Sequence, residues 1–439
     1  MRSAHPSRRP GAFALALAAA LTPWLAALLT ACGGVGEDRT KAQVRLVNAA
    51  DAQAYPALQL TVDGALRQGH VAPGETAAYA EVDPDKTTSA ISAAGSPTAL
   101  LSFTPSLARN RHYTVLAYGG AGALRQLLVD DNAAEAAANR TSLRVINAAP
   151  DAGSLDVYLT AAADSLDTAV AARAGAVYGE LSPVLDVASG TWRLRVAAAN
   201  SKTDVRLDVP AVALGSRQVA TLVLTPSRGG ALVNALLIVQ QGAITRAEGT
   251  QARVRVLAGV ADSATVSATL GGTPLLSAVG SPALNGYALV PAGAPALAIS
   301  VNGNTVAAPT TSLVAGGDYT LLVHGAAAAP AAAWITDDNR PPTVSDTVRV
   351  RLVNATAGIA GALSMTVDAL PIASGVATAA ASAYGSADAN EVAIISVTAT
   401  GVAQAVFSAT NQRLTAGSVY SVFVVGPQGA TTGIVRKDR

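Results

Sequence analysis

Short runs along this chain alternate apolar and polar residues with period two, the pattern of strands that lay one face on a core. Leu58-Gln59-Leu60-Thr61-Val62 ends in Asp63-Gly64, Val266-Ser267-Ala268-Thr269-Leu270 in Gly271-Gly272, and Leu363-Ser364-Met365-Thr366-Val367 in Asp368. Leu155-Asp156-Val157-Tyr158-Leu159 is their counterpart in the remaining stretch. Turn residues of this kind bound hairpin strands. Each run follows an opening motif. Val44-Arg45-Leu46-Val47-Asn48-Ala49-Ala50 returns as Leu143-Arg144-Val145-Ile146-Asn147-Ala148-Ala149, as Val254-Arg255-Val256-Leu257-Ala258-Gly259-Val260, and as Val350-Arg351-Leu352-Val353-Asn354-Ala355-Thr356. The starts lie 99, 111 and 96 residues apart, too far for one coil of a solenoid or one propeller blade at roughly 20–50 residues.

A third block closes each unit. Tyr113-Thr114-Val115-Leu116-Ala117-Tyr118-Gly119 matches Tyr319-Thr320-Leu321-Leu322-Val323-His324-Gly325 and Tyr420-Ser421-Val422-Phe423-Val424-Val425-Gly426, each with a Leu six residues earlier (Leu107, Leu313, Leu414). The second copy keeps Leu214 but has Ala220 in place of the Tyr. Strands at this spacing, bounded by Gly, Pro, Asn and Asp, predict an all-β fold, and about 100 residues is the size of an immunoglobulin-like sandwich. The expected architecture is four tandem immunoglobulin-like β-sandwich domains, at 42–133, 141–247, 251–340 and 346–439. Their cores would be Val, Leu, Ile and Ala, with Trp192 the one large ring of the second. The Tyr of the third block is expected to act as a corner, its hydroxyl bonded to backbone upstream. Ala133–Arg140 reads as a short helical spacer, Ala161–Ala174 as a short helix on a sandwich edge, and Pro341-Pro342 as a stiff junction.

The N-terminus has a different character. Arg2, Arg8 and Arg9 precede an apolar run from Gly11 to Leu29, broken at Thr22-Pro23. A spanning helix needs about 20 consecutive apolar residues, so 1–31 reads as a cleaved signal peptide. Leu29-Thr30-Ala31-Cys32 resembles the lipobox of bacterial lipoproteins. That resemblance implies lipidation of Cys32, a tether over 32–41, and outer-membrane sorting, because Gly33 is not the Asp of inner-membrane retention. Cys32 is the single cysteine, so no disulfide competes for it. Cleavage leaves 27 basic against 29 acidic side chains, a net charge of −2, which offers nucleic acid no field to follow.

Four His, one Cys and a charged fraction of 13% leave little material for catalysis. No Gly-x-Ser-x-Gly elbow, His-Glu-x-x-His helix or phosphate-cradling Gly-x-x-x-x-Gly-Lys is present. No cofactor, metal or catalytic residue is therefore assigned, and the chain is not expected to be an enzyme. Arg45, Arg144, Arg255 and Arg351 hold one place in all four opening strands. They read either as a cationic ladder for an anionic glycan or headgroup or, as the spacing favours, as solvent-facing charges guarding an edge strand. Asp130-Asp131-Asn132 and Asp337-Asp338-Asn339 invite calcium but lack the alternating spacing of a calcium loop. Turn or cap service explains them more simply, and bound calcium would act on interdomain rigidity.

Arg144-Val145-Ile146-Asn147-Ala148-Ala149-Pro150-Asp151-Ala152, followed by Leu155-Asp156-Val157-Tyr158, resembles the opening of the DUF4397 family of bacterial secreted domains, and copies one and four share the start. The resemblance implies tandem extracytoplasmic β-sandwich modules, often in lipoproteins, and no activity. The expected function is that of a lipid-anchored cell-envelope protein with a structural, spacer or adhesion-type role, held by its acyl chains. The alternative is a module binding glycan or peptidoglycan in interdomain clefts; envelope proteins or glycans are the partner classes, and nucleic acid is not.

Overall fold

The computed structural model describes residues 38–439. Regular structure there is β throughout, apart from one 3-10 turn at Pro150–Ala152. The strands form eight sheets of four or five strands, two from each repeat, so the all-β sandwich class read from the sequence is the observed one. The signal peptide, the lipobox Leu29, Thr30 and Ala31, Cys32 and most of the tether lie outside the described residues.

One sheet of each repeat is built on a parallel pair. The opening strand Ala42–Asn48 lies beside His112–Tyr118, with Gln43 against His112 and Asn48 against Ala117. The same pairing joins Arg140–Asn147 to Gln218–Pro226, Gln251–Val260 to Asp318–Ala326, and Thr347–Ala357 to Val419–Pro427. The other sheet holds the alternating run. Leu58–Val62 forms a hairpin with Ala65–Val71 through Asp63 and Gly64, both at positive φ (51° and 72°), which a two-residue hairpin turn requires. Leu58, Leu60 and Val62 face the core while Gln59 and Thr61 stay half-exposed, as period two dictates.

Between the two sheets of each repeat lies an aliphatic core. In the first it is Val44, Leu46, Leu58, Leu60, Ile91 and Val115 with Tyr113. The expected tyrosine corner is present three times. Backbone N–H groups five residues upstream, at Ala108, Val314 and Thr415, donate to the hydroxyls of Tyr113, Tyr319 and Tyr420 at 3.1, 2.9 and 2.9 Å. Trp192 packs half-buried against the second core, its indole N–H donating to Ala188 O at 2.9 Å. The Asn of the opening motif is a staple across the sandwich. Asn48, Asn147 and Asn354 are wholly buried, and their amides donate to Val71, Ala176 and Val376 carbonyls of the facing sheet at 3.0, 3.2 and 3.0 Å. A buried amide satisfied in this way costs the fold little.

The outer face of each parallel-pair sheet is also covered. Val47, Ala49, Leu116 and Tyr118 of the first repeat meet Ile146, Ala148, Val223, Leu236 and Ile238 of the second. Leu257, Leu322 and Ile335 of the third meet Val353, Ala355, Phe423 and Val425 of the fourth. A Cβ on Gly259 would stand 3.2 Å from Val425 and 3.3 Å from Ala355, so any side chain there would push these neighbours back by a few tenths of an ångström. Ala42–Asn48 is accordingly buried at every position, its Gln43, Arg45 and Asn48 included. Residues Arg39–Arg439 form one compact unit.

Three expectations need correcting. Arg45, Arg255 and Arg351 do not face solvent; they are buried, because the face they occupy is roofed by a neighbouring repeat. Ala133–Arg140 is not helical but irregular, with a turn at 138–139 before the strand Arg140–Asn147, and the Gln240 side chain takes up both the N–H and the C=O of Ala133, at 3.0 and 2.8 Å. The stretch 161–174 is a series of turns leading into the strand Arg173–Ala176, with no helix.

Candidate functional site

The chemistry of the molecule is concentrated where repeats meet. In the parallel pair Arg255 sits beside Thr320, and the antiparallel neighbour, registered Val254 to Ala288, sets Tyr287 opposite Arg255. Arg255 Nε donates to Thr320 Oγ1 at 2.9 Å, and its guanidinium lies 4.6 Å from the Tyr287 ring centre. Tyr287 and Thr320 hydroxyls donate to Asp337 Oδ2 at 2.7 and 2.6 Å. The fourth repeat repeats the set: Arg351 Nε donates to Ser421 at 2.8 Å, lies 4.8 Å from the Tyr384 ring centre, and Ser421 donates to Asp438. The two sets exchange charges, Arg255 pairing with Asp438 of the fourth repeat and Arg351 with Asp337 of the third. Both arginines are only 1% exposed.

Burial alone would raise the Asp337 pKa, but Arg351, Arg255 and the two hydroxyl donors outweigh it and hold the carboxyl below its ordinary value. The same burial, reinforced by the Asp337 charge, pushes the Tyr287 phenol well up. Buried charges persist when paired and hydrogen-bonded in this way.

The junction of the first two repeats has one intact corner and one broken one. Arg45 Nε donates to Thr114 at 2.8 Å, lies 4.8 Å from the Tyr79 ring centre, and Tyr79 donates to Asp131 at 2.6 Å. Its remaining N–H groups reach into the second repeat, to Gly242 and Val239 carbonyls at 2.7 and 3.0 Å. In the second repeat the register Leu143 to Leu185 puts Val184 opposite Arg144, where the other copies have Tyr. The register Ala220 to Val239 puts Gln240 where they have Asp. Arg144 is exposed, and no hydrogen bond or ion pair among the described residues holds its guanidinium. A cleft of about 360 Å³ remains, lined by Arg144, Val184, Thr221, Gln240, Leu116 and Asp131 among others. Arg45 stands 4.0 Å from Asp131, and no second arginine arrives. Desolvation therefore prevails and the Asp131 pKa is raised, opposite to Asp337.

A third cluster joins all four repeats. Arg340 bridges Asp338 at 2.7 Å and Asp51 at 3.5 Å, and Arg349 reaches Asp338 at 2.9 Å. Asp338 falls to about 2 because hydrogen bonds from Arg340 and Arg349 exceed its desolvation. Asp151 rises to about 6 by burial, which Arg439 and Arg340 only partly oppose. A carboxyl raised on folding is bound to its proton more tightly in the native state, so stability falls as pH rises from about 4 to 6. Asp151→Asn is expected to flatten that dependence and to stabilise the chain at pH 7 by on the order of 2 kcal/mol. Urea midpoints of both proteins at pH 5 and pH 7 check this; a variant that keeps the wild-type slope would refute it.

Of the residues singled out in the sequence, the structure brings Arg45 to Asp131 at one junction and Arg255 and Arg351 to Asp337 at the other. Asp131 and Asp337 bind hydroxyls and guanidinium groups rather than a turn backbone, and among the described residues no group of acidic, His or Cys side chains is placed to hold a metal. Asn132 pairs with the backbone of the adjoining strand, donating to His112 O at 2.8 Å and accepting from His112 N–H at 3.0 Å. His324 is packed, its pKa lowered by burial. Sequence reasoning missed Tyr79, Tyr287 and Tyr384. A Tyr stands 34, 32 or 33 residues after the motif Arg in copies one, three and four, but copy two also has one at 34, Tyr178, whose ring lies against Arg125 and Tyr118 instead, so the spacing alone does not single them out.

No curated protein matches the sequence. Among solved structures, a candidate cell adhesion protein from Bacteroides uniformis aligns at 10% identity over 45% of this chain and 97% of its own, with a TM-score of 0.20. A calcium-stabilised adhesin with which an Antarctic bacterium binds ice aligns at 12% identity over 85% of this chain and 98% of its own, with a TM-score of 0.10. Likenesses this slight bear on neither fold nor function here. The family model described as a domain of unknown function, DUF4397, matches residues 39–158 and 252–366. Each match runs through one repeat and on into the second strand of the next, over more than half of the sequence in total. The chain belongs to the DUF4397 family.

Proposed function

We propose that this protein is a structural, adhesion-type module of the bacterial cell envelope, non-catalytic, lipidated at Cys32 and held in the outer membrane by its acyl chains, presenting a rigid surface to an envelope protein or glycan. The observation that carries this reading is the reciprocal exchange of buried charges between repeats. Links of this kind hold neighbouring sandwiches in one fixed arrangement, which suits presentation of a surface better than reach as an extended spacer. The Leu29-Thr30-Ala31-Cys32 motif supplies the anchor, since stable membrane attachment takes more than one acyl chain. The cleft between the first two repeats favours a second reading, a ligand-binding role.

Labelled palmitate incorporation with membrane fractionation tests the anchor, and adherence of a deletion strain tests the role. Expected are label in the wild type alone, none in Cys32→Ala, and an adherence defect restored by the wild type but not by the variant. Equal labelling of both proteins, or a deletion strain with unchanged adherence, would overturn the corresponding half of the reading.

A further inference from the structure

We propose that the cleft between the first and second repeats is a binding site for a single phenolic ring, which completes the corner that the second repeat leaves open. The template is internal. In three repeats a Tyr ring covers the motif guanidinium, with ring centres 4.8, 4.6 and 4.8 Å from Arg45, Arg255 and Arg351. In two of them its hydroxyl donates to the buried Asp of the same repeat. The second repeat retains the guanidinium in Arg144 and the neighbouring hydroxyl in Thr221, at the same register positions. It lacks only the ring and the Asp.

Val184, at the ring's position, is 52% exposed and lines the cleft together with Arg144, Thr221 and Asp131. The walls are apolar at Leu116, Val129 and Ile238, which suits the faces and edge of an aromatic ring. Arg144, with no hydrogen-bond or ion-pair partner among the described residues, supplies the cation–π face. Asp131 of the first repeat, whose Oδ2 already accepts from Tyr79 and Thr114, also lines the cleft and offers a carboxylate acceptor in place of the same-repeat Asp that Tyr79 and Tyr287 use. A ring with a hydroxyl therefore meets a guanidinium face and a carboxylate of the neighbouring repeat, whereas an aliphatic alcohol lacks the face and toluene lacks the donor. The inference does not depend on the anchor at Cys32.

The test uses the soluble mature chain with p-cresol as probe, followed by ligand-observed NMR and by thermal denaturation. Saturable binding with a Kd on the order of 1 mM is expected for one small ring, with toluene and cyclohexanol clearly weaker. Arg144→Gln is expected to weaken p-cresol binding about tenfold, equivalent to 1.4 kcal/mol. Val184→Tyr is expected to restore the corner from within the chain: it abolishes binding and raises the melting temperature. Because position 184 is half-exposed, this variant leaves the core untouched. N-acetyltyrosinamide separates the sources of the ring. Its binding assigns the site to a tyrosyl side chain of another polypeptide, and binding of p-cresol alone assigns it to a free phenol. No saturable binding to the wild type, or undiminished binding to Val184→Tyr, would overturn the proposal.

Discussion

Asp337→Ala is expected to destabilise the folded chain by about 3–5 kcal/mol, the cost of leaving buried charge without its partner. Asp337 accepts from Arg351 and from the hydroxyls of Tyr287 and Thr320 and is ion-paired with Arg255, so one truncation takes the acceptor from three donors and one of two carboxylates from Arg255. Urea denaturation is the measurement, since urea leaves ion pairs unscreened. The sign of the pH dependence follows from the depressed pKa. The stabilisation is complete above the ordinary carboxylate range near 4 and disappears as pH falls through the lower folded value. The difference between wild type and variant should therefore close in acid. An apolar replacement of the whole set, with Arg351, Asp337, Arg255 and Asp438 changed together to residues of similar volume, should cost little, because the penalty lies in the unpaired charge. A mild effect of Asp337→Ala at pH 7 would show that solvent reaches the network.

Phe423→Ala should cost a similar 3–5 kcal/mol. The ring is wholly buried among Leu257, Leu322 and Val353, and it carries the Arg255 guanidinium 5.1 Å from its centre. Deleting it opens a cavity between two repeats rather than inside one. Hydrogen exchange should then accelerate in Thr347–Ala357 and Gln251–Val260 while the hairpins of the outer sheets keep their protection. Phe423→Leu is the control: Leu116 and Leu322 hold the same register position in the first and third repeats, so this change should cost far less. Uniform acceleration in all strands would mean that the junction and the sandwiches unfold together.

How much of this was legible depended on whether one repeat could be read alone. Leu58–Val62 and Leu363–Val367 alternate because one face of their sheet meets only its own core and the other meets solvent, so the strands, the hairpin at Asp63-Gly64 and the Tyr113, Tyr319 and Tyr420 corners followed from local pattern. The motif arginines did not. In an isolated sandwich an Arg facing away from the core belongs to solvent, and nothing in the opening motif itself says that another repeat will cover it. The unbroken run Val115-Leu116-Ala117-Tyr118 carried that information, because a strand apolar on both faces needs two roofs. The tyrosines opposite the arginines were hidden for a related reason: they stand more than 30 residues away and matter only once the strands are registered. The broken corner at Val184 and Gln240 becomes visible only by comparison with its intact siblings.

The crossed pairing of Arg255 with Asp438 and of Arg351 with Asp337 has the logic of an isologous contact, in which residue i meets j and j meets i across a two-fold. Here both halves sit on one polypeptide, but each repeat that keeps Arg, Tyr, a hydroxyl and Asp holds a full self-complementary half. A lone fourth repeat would thus carry a surface that closes on a second copy of itself and leaves no free end for polymerisation. The tandem chain reads as a homodimer made covalent, and the altered second repeat as the subunit that lost its own side of the handshake.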